Sequence, residues 1–269
     1  MTSLKKYFSF TDKKQIWRLL ISETNKLVIE TRDVDNKQAY YSCYNLENGK
    51  LLFKEFQFDE KFWLGIEEVN NDLIYLHKFA KPDLPWHKGI TAFSITKKKI
   101  LWANSEMSFL FSAEDDIYAY KNNFDGKEYF LLDGESGDVK KELGGDFSYV
   151  NQKKEEHEKD FSNYIFPEIA ESSLQATGIF LKEKEENNIS GYIYSAEKNG
   201  LLFINYHIAE EGGALTNIIK IIEINRERVI FKETLNKKIK VYIPDSFFIK
   251  DDFLFLLKEK EIVLVYKIF

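Results

Sequence analysis

The fold is decided by stretches such as Glu67-Glu68-Val69-Asn70-Asn71-Asp72-Leu73-Ile74-Tyr75-Leu76, in which a polar turn directly precedes an almost continuously apolar run. Asn, Asp and Gly suit tight hairpin turns because they tolerate positive φ angles. The same combination recurs at residues 22–29, 113–120, 196–204 and 250–257. The recurrence predicts one β-unit that is repeated along the chain.

The spacing of these turns is regular. Asn25 and Asn71 are 46 residues apart, and Asn71 and Asp116 are 45 apart. Asp116 and Gly200 are separated by 84 residues, and Gly200 and Asp252 by 52. The interval of 84 is nearly two periods, which indicates that one copy has degenerated. β-units that return every ~40–45 residues are typical of propeller blades.

A second hairpin follows in register after most of the apolar runs. Its turns fall at Gly49, Lys98, Gly137 and Glu227, which are 49, 39 and 90 residues apart, and 90 is again two periods. The apolar runs have no polar face, so each of these strands must be covered on both sides. In a propeller, the neighbouring blades supply that cover.

These patterns predict an all-β fold, a single β-propeller domain over residues 1–269 with six blades, one of them irregular. Six blades of ~45 residues use the whole length, and all-β folds of this size commonly form one domain. The irregular region is 144–189. It forms either a sixth blade whose first turn is the charged block 153–160, or an insertion on a five-bladed ring with a short helix over 167–176.

The two ends of the chain are expected to meet. The final copy of the repeat has only three strands, at 246–249, 252–257 and 261–268, and an exposed last edge would carry unpaired backbone groups. Residues 5–10 form a spare strand ahead of the first blade. We predict that this strand pairs beside 262–268 as the missing outer strand and closes the ring.

One segment, Gly89-Ile90-Thr91-Ala92-Phe93-Ser94-Ile95-Thr96-Lys97-Lys98-Lys99-Ile100-Leu101-Trp102, resembles the repeat of quinoprotein-like (PQQ-like) propellers, with weaker copies at 45–53 and 133–138. Quinoprotein dehydrogenases are an eight-bladed, exported type with adjacent cysteines and a calcium site. This chain departs from that type because it has a single cysteine and too few blades. It also resembles an uncharacterised bacterial family of about this length, which implies no activity. We expect no cofactor.

Composition and charge exclude several partners. The net charge of −6 argues against nucleic acid, which needs a clustered basic face. No run approaches the ~20 apolar residues of a membrane-spanning helix, and residues 1–10 lack the apolar core of a secretory signal. The lone Cys43 rules out an internal disulfide and is expected to be buried. We expect a cytoplasmic monomer that binds neither nucleic acid nor membrane.

The sequence contains no catalytic motif and no paired spacing of metal ligands, so we predict no catalytic residue and no metal site. His77 and His207 fall at nearly equivalent places, at the ends of the second strands of their blades. A two-histidine site on one rim is one interpretation, and strand-end histidines that meet solvent are the other, which we favour. Residues 33–36 cluster oxygen ligands but lack a full calcium-loop pattern.

The segment 80–88 is the strongest candidate for a binding site. It is predicted to be a loop between the second and third strands of its blade, stiffened by two prolines, with Trp86 and His87 at its tip. An ordered aromatic residue on a rim can anchor a partner. In the alternative interpretation, Trp86 folds back onto its own blade and has only a structural role.

We therefore predict a non-catalytic binding or protein-interaction module, with an unidentified protein or small molecule as its partner. The candidate binding residues are Trp86, His87, Asp83, Glu210 and Glu211. The alternative is a small-molecule hydrolase or isomerase with its site at the channel mouth. In that case Asp83, His87 and one of the two glutamates are the acid and base candidates. A fold alone does not decide between these functions.

Overall fold

The structure is a computed structural model that describes residues 3–81, 84–170 and 177–269, with the backbone alone at 80, 81, 84 and 85. The chain forms two compact units. The continuous unit is Lys14–Lys159, and the split unit combines the residues up to Lys13 with Asp160–Phe269. The two units are described separately below, and a single domain over 1–269 stays a prediction.

Almost all regular structure is β-strand, which confirms the all-β prediction. The first strands are β1 (Leu4–Thr11), β2 (Gln15–Ile21), β3 (Lys26–Asp33), β4 (Gln38–Asn45), β5 (Lys50–Phe56), β6 (Leu64–Asn70), β7 (Leu73–Lys81), β8 (Leu84–Ser94), β9 (Lys99–Asn104), β10 (Ser108–Ala113) and β11 (Asp116–Asn123). They are followed by β12 (Gly126–Asp133), β13 (Val139–Gly144), β14 (Tyr164–Ile165), β15 (Glu168–Ile169), β16 (Ile189–Lys198), β17 (Leu201–Ala209), β18 (Leu215–Glu223), β19 (Arg228–Ile239), β20 (Phe247–Lys250), β21 (Phe253–Lys258) and β22 (Ile262–Ile268).

The continuous unit contains three groups of four antiparallel strands. They are β2–β5, β6–β9 and β10–β13, and in each group every strand pairs with the next along the chain. A single parallel bridge between Gly89 of β8 and Ser108 of β10 joins the second group to the third. This junction positions the candidate site described below.

The split unit contains two further groups of the same kind. Strands β16–β19 form one group, with the two-residue β15 added beside β16. Strands β20–β22 form the other, with β14 beside β20. Strand β1 pairs antiparallel with β22, with Leu4 opposite Ile268 and Thr11 opposite Ile262. This pairing confirms the predicted role of the N-terminal strand as the outer strand of the last group.

The turns of the repeat have the backbone geometry that the sequence predicted. The first hairpins turn through positive φ at Asn25 (56°), Asn71 (49°), Glu114 (53°), Asn199 (52°) and Asp251 (48°). All four predicted positions of the second hairpins also have positive φ, namely Gly49 (69°), Lys98 (51°), Gly137 (75°) and Glu227 (48°). Left-handed residues of this kind are typical of the short connections in β-hairpins.

The apolar runs of β3 and β17, the second strands of their groups, are deeply buried, as the sequence predicted. Residues 27–29 of β3 and residues 201–204 of β17 have no exposed surface, so both faces of these strands are covered. Cys43 is free and buried in β4, as expected. Burial of an aliphatic side chain contributes about 1.5–3 kcal/mol relative to exposure, so these buried runs contribute strongly to the stability of the core.

The region 144–189 differs from both interpretations of the sequence. The charged block 153–160, predicted as a turn, begins within the helix α1 (Phe147–Glu156). Asp146 starts this helix because its carboxylate accepts a hydrogen bond of 3.0 Å from the N–H of Tyr149, a typical N-cap.

The helix predicted at 167–176 is wrong in its first part, because Glu168 and Ile169 form β15 against β16; residues 171–176 lie outside the described residues. The second helix is instead α2 (Thr177–Glu186), held by the buried ion pair of Glu183 with Lys220 at 2.6 Å. The described part of 144–189 adds two short edge strands and no four-stranded group. The number of blades stays a prediction. Neither of these described helices is long and apolar enough to cross a membrane.

A β-bulge recurs in the first strand of each group of the continuous unit. The register shifts at Trp17 in β2, at Glu67 in β6 and at Leu110 in β10. A bulge leaves one residue without an opposite partner and changes the direction of its side chain. In the second group this residue is a glutamate, and that glutamate belongs to the candidate site.

Candidate functional site

A cleft of about 710 Å³ lies in the continuous unit, where the second group of strands meets the third. Its volume is in the range of small-molecule sites, which is about 300–1,000 Å³. The lining residues come from β6, β8 and the third group: Glu67, Trp86, His87, Lys88, Glu106, Ser108, Phe109, Tyr120, Asn122 and Lys127. The hydroxyl of Ser108 donates a hydrogen bond of 3.1 Å to the backbone oxygen of His87 and fixes β8 at this junction.

Trp86 has 68% of its surface exposed and lines the cleft. The prediction that it lies at a loop tip is wrong, because β7 continues to Lys81 and β8 begins at Leu84. The two prolines were expected to stiffen a loop. Pro85 is tolerated in β8 because the register with β7 shifts between Phe79 and Lys81, and at such an irregularity a strand can lack an N–H donor. Trp86 is therefore presented by a paired strand.

His87 contacts the carboxylate of Glu67 behind Trp86. Its Nδ1–H donates a hydrogen bond of 2.8 Å to Oε1 of Glu67. The side chain of His87 is 36% exposed and that of Glu67 is 16% exposed, so the pair lies partly within the wall of the cleft. The bulge at Glu67 directs its carboxylate to this place.

His77 lies against the same pair and is completely enclosed. Its ring stacks on the ring of His87 with a centroid distance of 3.4 Å and an angle of 8° between the planes. Its Nδ1 lies 3.0 Å from Oε1 of Glu67, but outside the geometry of a hydrogen bond. Gly65 faces His77 across the strand pair, and a Cβ atom there would come within 2.8 Å of the imidazole. The ring thus occupies space that only a glycine leaves open.

The protonation states of this cluster follow from burial and charge. Burial raises the pKa of the Glu67 carboxyl, but the polar ring nitrogens of His77 and His87, at 3.0 Å and 2.8 Å from its Oε1, outweigh burial and hold the pKa below its ordinary value. Burial lowers the pKa of the His77 imidazole, and the carboxylate of Glu67 offsets this effect only in part. Glu67 is therefore ionised and His77 neutral at neutral pH. In these forms a carboxylate and an imidazole are able to coordinate a metal ion.

Sequence reasoning found His87 and Trp86 but missed Glu67 and the grouping of His77 with His87. A two-residue period places His77 and Phe79 on one face of β7, and Phe79 is opposite His87. This alignment requires 84–88 to be part of a strand, whereas the sequence predicted a loop at 80–88. The contribution of Glu67 depends on a bulge, and bulges insert an extra residue without a sequence signal of their own.

The other predicted site residues lie elsewhere. Asp83 lies outside the described residues. Glu210 and Glu211 are exposed in the split unit, where the hydroxyl of Thr216 donates a hydrogen bond to Glu210. The carboxylate of Asp33 accepts two hydrogen bonds from Asn36, so it serves its own turn.

One family matches part of the chain. A family described as a domain of unknown function (DUF4905) matches residues 21–102, which is less than half of the chain. The matched segment includes Glu67, His77, Trp86 and His87. Comparison with curated proteins gives no match.

Several solved structures are distantly similar. Kluyveromyces lactis Hsv2 is 11% identical, with 91% of this chain and 75% of that chain covered and a TM-score of 0.30. A member of the DUF4221 family from Bacteroides vulgatus is 10% identical, with 100% and 98% covered and a TM-score of 0.33. A europium-containing methanol dehydrogenase is 9% identical, with 96% and 52% covered and a TM-score of 0.29. Similarity at this level assigns no activity to this chain.

Proposed function

We propose that this protein is a binding module built on a β-propeller, and that it holds a small polar molecule in the cleft beside Trp86. The propeller is supported by the five groups of four antiparallel strands that the described residues form, each with the left-handed turns of one repeat. The quinoprotein-like repeat at 89–102 spans the last strands of the second group, next to the cleft. Groups that repeat in this way leave their connections free to line a ligand site.

The exposure of Trp86 is the observation that carries this proposal. A large aromatic side chain loses its contact with water only when it is buried, so 68% exposure of Trp86 is unfavourable for the free protein. An indole held in place by a strand binds with little loss of conformational entropy. It also presents a flat apolar face at the mouth of a concave site.

The lining of the cleft indicates the chemical class of the ligand. The rings of Phe109 and Tyr120 add apolar surface, and the ammonium of Lys127 lies 4.2 Å from the centroid of the Tyr120 ring. Asn122 and Lys88 offer hydrogen-bond donors. A site of this kind suits a small molecule with one flat face and several polar or anionic groups.

Catalysis by a hydrolase or isomerase is the second candidate, and the pairing of Glu67 with His87 favours it. A carboxylate that accepts the Nδ1–H of an imidazole orients the ring and leaves Nε2 as a base. No hydroxyl or thiol of the described cleft residues is bonded to this imidazole, since the Ser108 hydroxyl donates to the His87 backbone oxygen. The nucleophile would then be water.

A thermal-shift screen with sugars, nucleosides and amino acids tests the binding proposal. A compound that stabilises the wild type should fail to stabilise Trp86→Ala, because the apolar face of the site is lost. Trp17→Ala is the matched control, since Trp17 is 49% exposed and lies on β2, in another group of strands. Both variants should lose less than ~1 kcal/mol of stability, as surface substitutions usually do.

Equal stabilisation of the wild type and Trp86→Ala by every active compound would contradict the proposal. If the Trp86→Ala variant unfolds, Trp86 has a structural role and not a binding role. Incubation of each active compound with the protein, followed by NMR, separates the two candidate functions. New products that disappear in His87→Ala would indicate the enzyme.

A further inference from the structure

Three potential metal ligands converge at the wall of the cleft. Oε1 of Glu67 lies 3.0 Å from Nδ1 of His77 and 2.8 Å from Nδ1 of His87. One donor atom from each of the three side chains lies within 4.8 Å of the other two. Two atoms bound to the same zinc ion at about 2.0–2.2 Å are about 3.3–3.6 Å apart in a tetrahedral arrangement. The cluster is therefore close to the size of a coordination shell.

The burial of His77 is a second, independent observation. Its side chain is 0% exposed, and among the described residues neither of its ring nitrogens has a hydrogen-bond partner. A buried polar group without a partner costs free energy, and native proteins rarely retain one without a reason. A bound metal ion would use one of these nitrogens and offset that cost.

We propose that Glu67, His77 and His87 bind one divalent transition-metal ion of the zinc type. Two imidazoles and a carboxylate form a donor set that zinc uses in sites with an open position. The same set holds iron in some proteins. Calcium and magnesium prefer shells of oxygen atoms, so the two imidazoles disfavour both.

The stacked rings require one movement on binding. A metal ion lies in the plane of the imidazole that binds it, and two parallel rings 3.4 Å apart do not share a plane. His77 has no freedom to turn, because it is enclosed and faces Gly65 at close range. His87 is partly exposed on the cleft side, so it is the ring that rotates.

An ion bound by these three side chains has one open coordination position. Three protein ligands leave a fourth site for water or for an anionic group. Glu67 and His87 line the cleft, so the open position is expected to face it, near Lys88. The metal site stands on its three donor side chains and does not rest on the ligand proposed for Trp86.

Metal binding is measured on the full chain, purified without a histidine tag and dialysed against zinc, cobalt, nickel, calcium or magnesium. We expect one transition-metal ion per chain by elemental analysis, and visible absorption bands from bound cobalt. His87→Ala and Glu67→Gln should lose at least nine-tenths of the bound metal. Both positions are partly exposed, so these variants are expected to fold.

His157→Ala is the matched control, because it removes a histidine outside the cluster and should leave the metal content unchanged. Trp86→Ala should also retain the metal, which separates this inference from the binding proposal. Failure of every transition metal to remain bound would overturn the inference. Equal retention by the wild type, His87→Ala and Glu67→Gln would overturn it as well, and so would tighter binding of calcium or magnesium than of zinc.

Discussion

Two buried histidines occupy similar positions in two groups of strands but have different surroundings. His207, on β17, accepts a hydrogen bond of 3.1 Å at Nε2 from the backbone N–H of Ile243, and its ring packs edge-on against Tyr242. His77, on β7, has no such bond at either nitrogen among the described residues. A carboxylate and a second imidazole approach it instead. His207 therefore has one bonded nitrogen and a buried Nδ1 without a partner, whereas both nitrogens of His77 lack a hydrogen bond among the described residues.

The surroundings of His207 show how this chain satisfies buried polar groups where it needs only stability. Asn217 lies at the centre of a closed network there: it donates to Asn205, and it accepts from Asn236 and Ser246. All four of these residues are buried. Fully satisfied networks of this kind rigidify a core. The contrast supports the metal site proposed at His77, because the only other buried side-chain atoms without a partner among the described residues are Oε2 of Glu30 and Nδ1 of His207.

The largest effect is expected for Gly65→Ala. The added Cβ would come within 2.8 Å of two ring atoms of His77, and an enclosed ring has nowhere to move. Overpacking of a core typically costs ~1–3 kcal/mol, and we expect about 2–3 kcal/mol in chemical denaturation. Metal binding should be lost at the same time, because His77 is displaced.

Gly145→Ala is the control for that substitution. The nearest atom to its added Cβ is the backbone oxygen of Lys127 at 3.8 Å, an ordinary contact in the same unit. Its stability should stay within about 1 kcal/mol of the wild type. If Gly65→Ala is as stable as Gly145→Ala, then His77 is not confined and the description of the cluster is wrong.

The next largest effect is the difference in stability between a leucine substitution at His207 and one at His77, both in metal-free protein. His207→Leu removes the acceptor of the Ile243 N–H and should cost about 1–2 kcal/mol, the usual penalty for a buried donor left without a partner. His77→Leu removes a ring that makes no hydrogen bond, so its stability should change by less than about 1 kcal/mol or increase. Unfolding by urea measures both values. A larger loss for His77→Leu than for His207→Leu would show that His77 is structural.

The sequence predicted most of the fold because the fold rests on local signals. Asn25 and Gly49 are turn residues at fixed spacing, and the runs between the turns are apolar, so strand order within each group followed directly. The pairing of the N-terminal strand followed from a missing edge. The prediction for region 144–189 was wrong for two reasons. Asp146 was not recognised as a helix cap, and short edge strands such as β15 have too few residues to show a period.

The smallest expected effect is the contribution of buried His207 to the pH dependence of stability. Burial lowers the pKa of His207 below its ordinary value of 6.5. Just below pH 6.5, His207 is therefore protonated in the unfolded chain but still neutral in the folded chain. Stability contributed by His207 is therefore present above pH 6.5 and decreases as the pH falls towards the lowered pKa. Between about pH 7.5 and 5.5 the wild type should lose more stability than His207→Leu, measured by urea unfolding at each pH. Parallel curves for the two proteins would contradict the burial of a neutral imidazole.

The site was only half predictable for a related reason. Trp86 and His87 were visible as unusual residues near two prolines, but Cβ alternation adds His77 only if 84–88 is part of a strand. Glu67 is one of two adjacent glutamates, and only the bulge decides which of them faces the cluster. The alternation of apolar residues is the same on both sides of the register shift in β6. It therefore does not show that Glu68 lies opposite Tyr75.

Anomalous X-ray diffraction at the zinc edge, from crystals of the full chain grown with zinc, shows directly whether the three side chains bind the ion. We expect one strong anomalous peak within about 2.0–2.2 Å of Oε1 or Oε2 of Glu67 and of one nitrogen each from His77 and His87. The ring of His87 should be rotated out of its stack on His77. Crystals that contain zinc but show no peak at this cluster, with the two imidazoles still stacked, would contradict the proposed metal site.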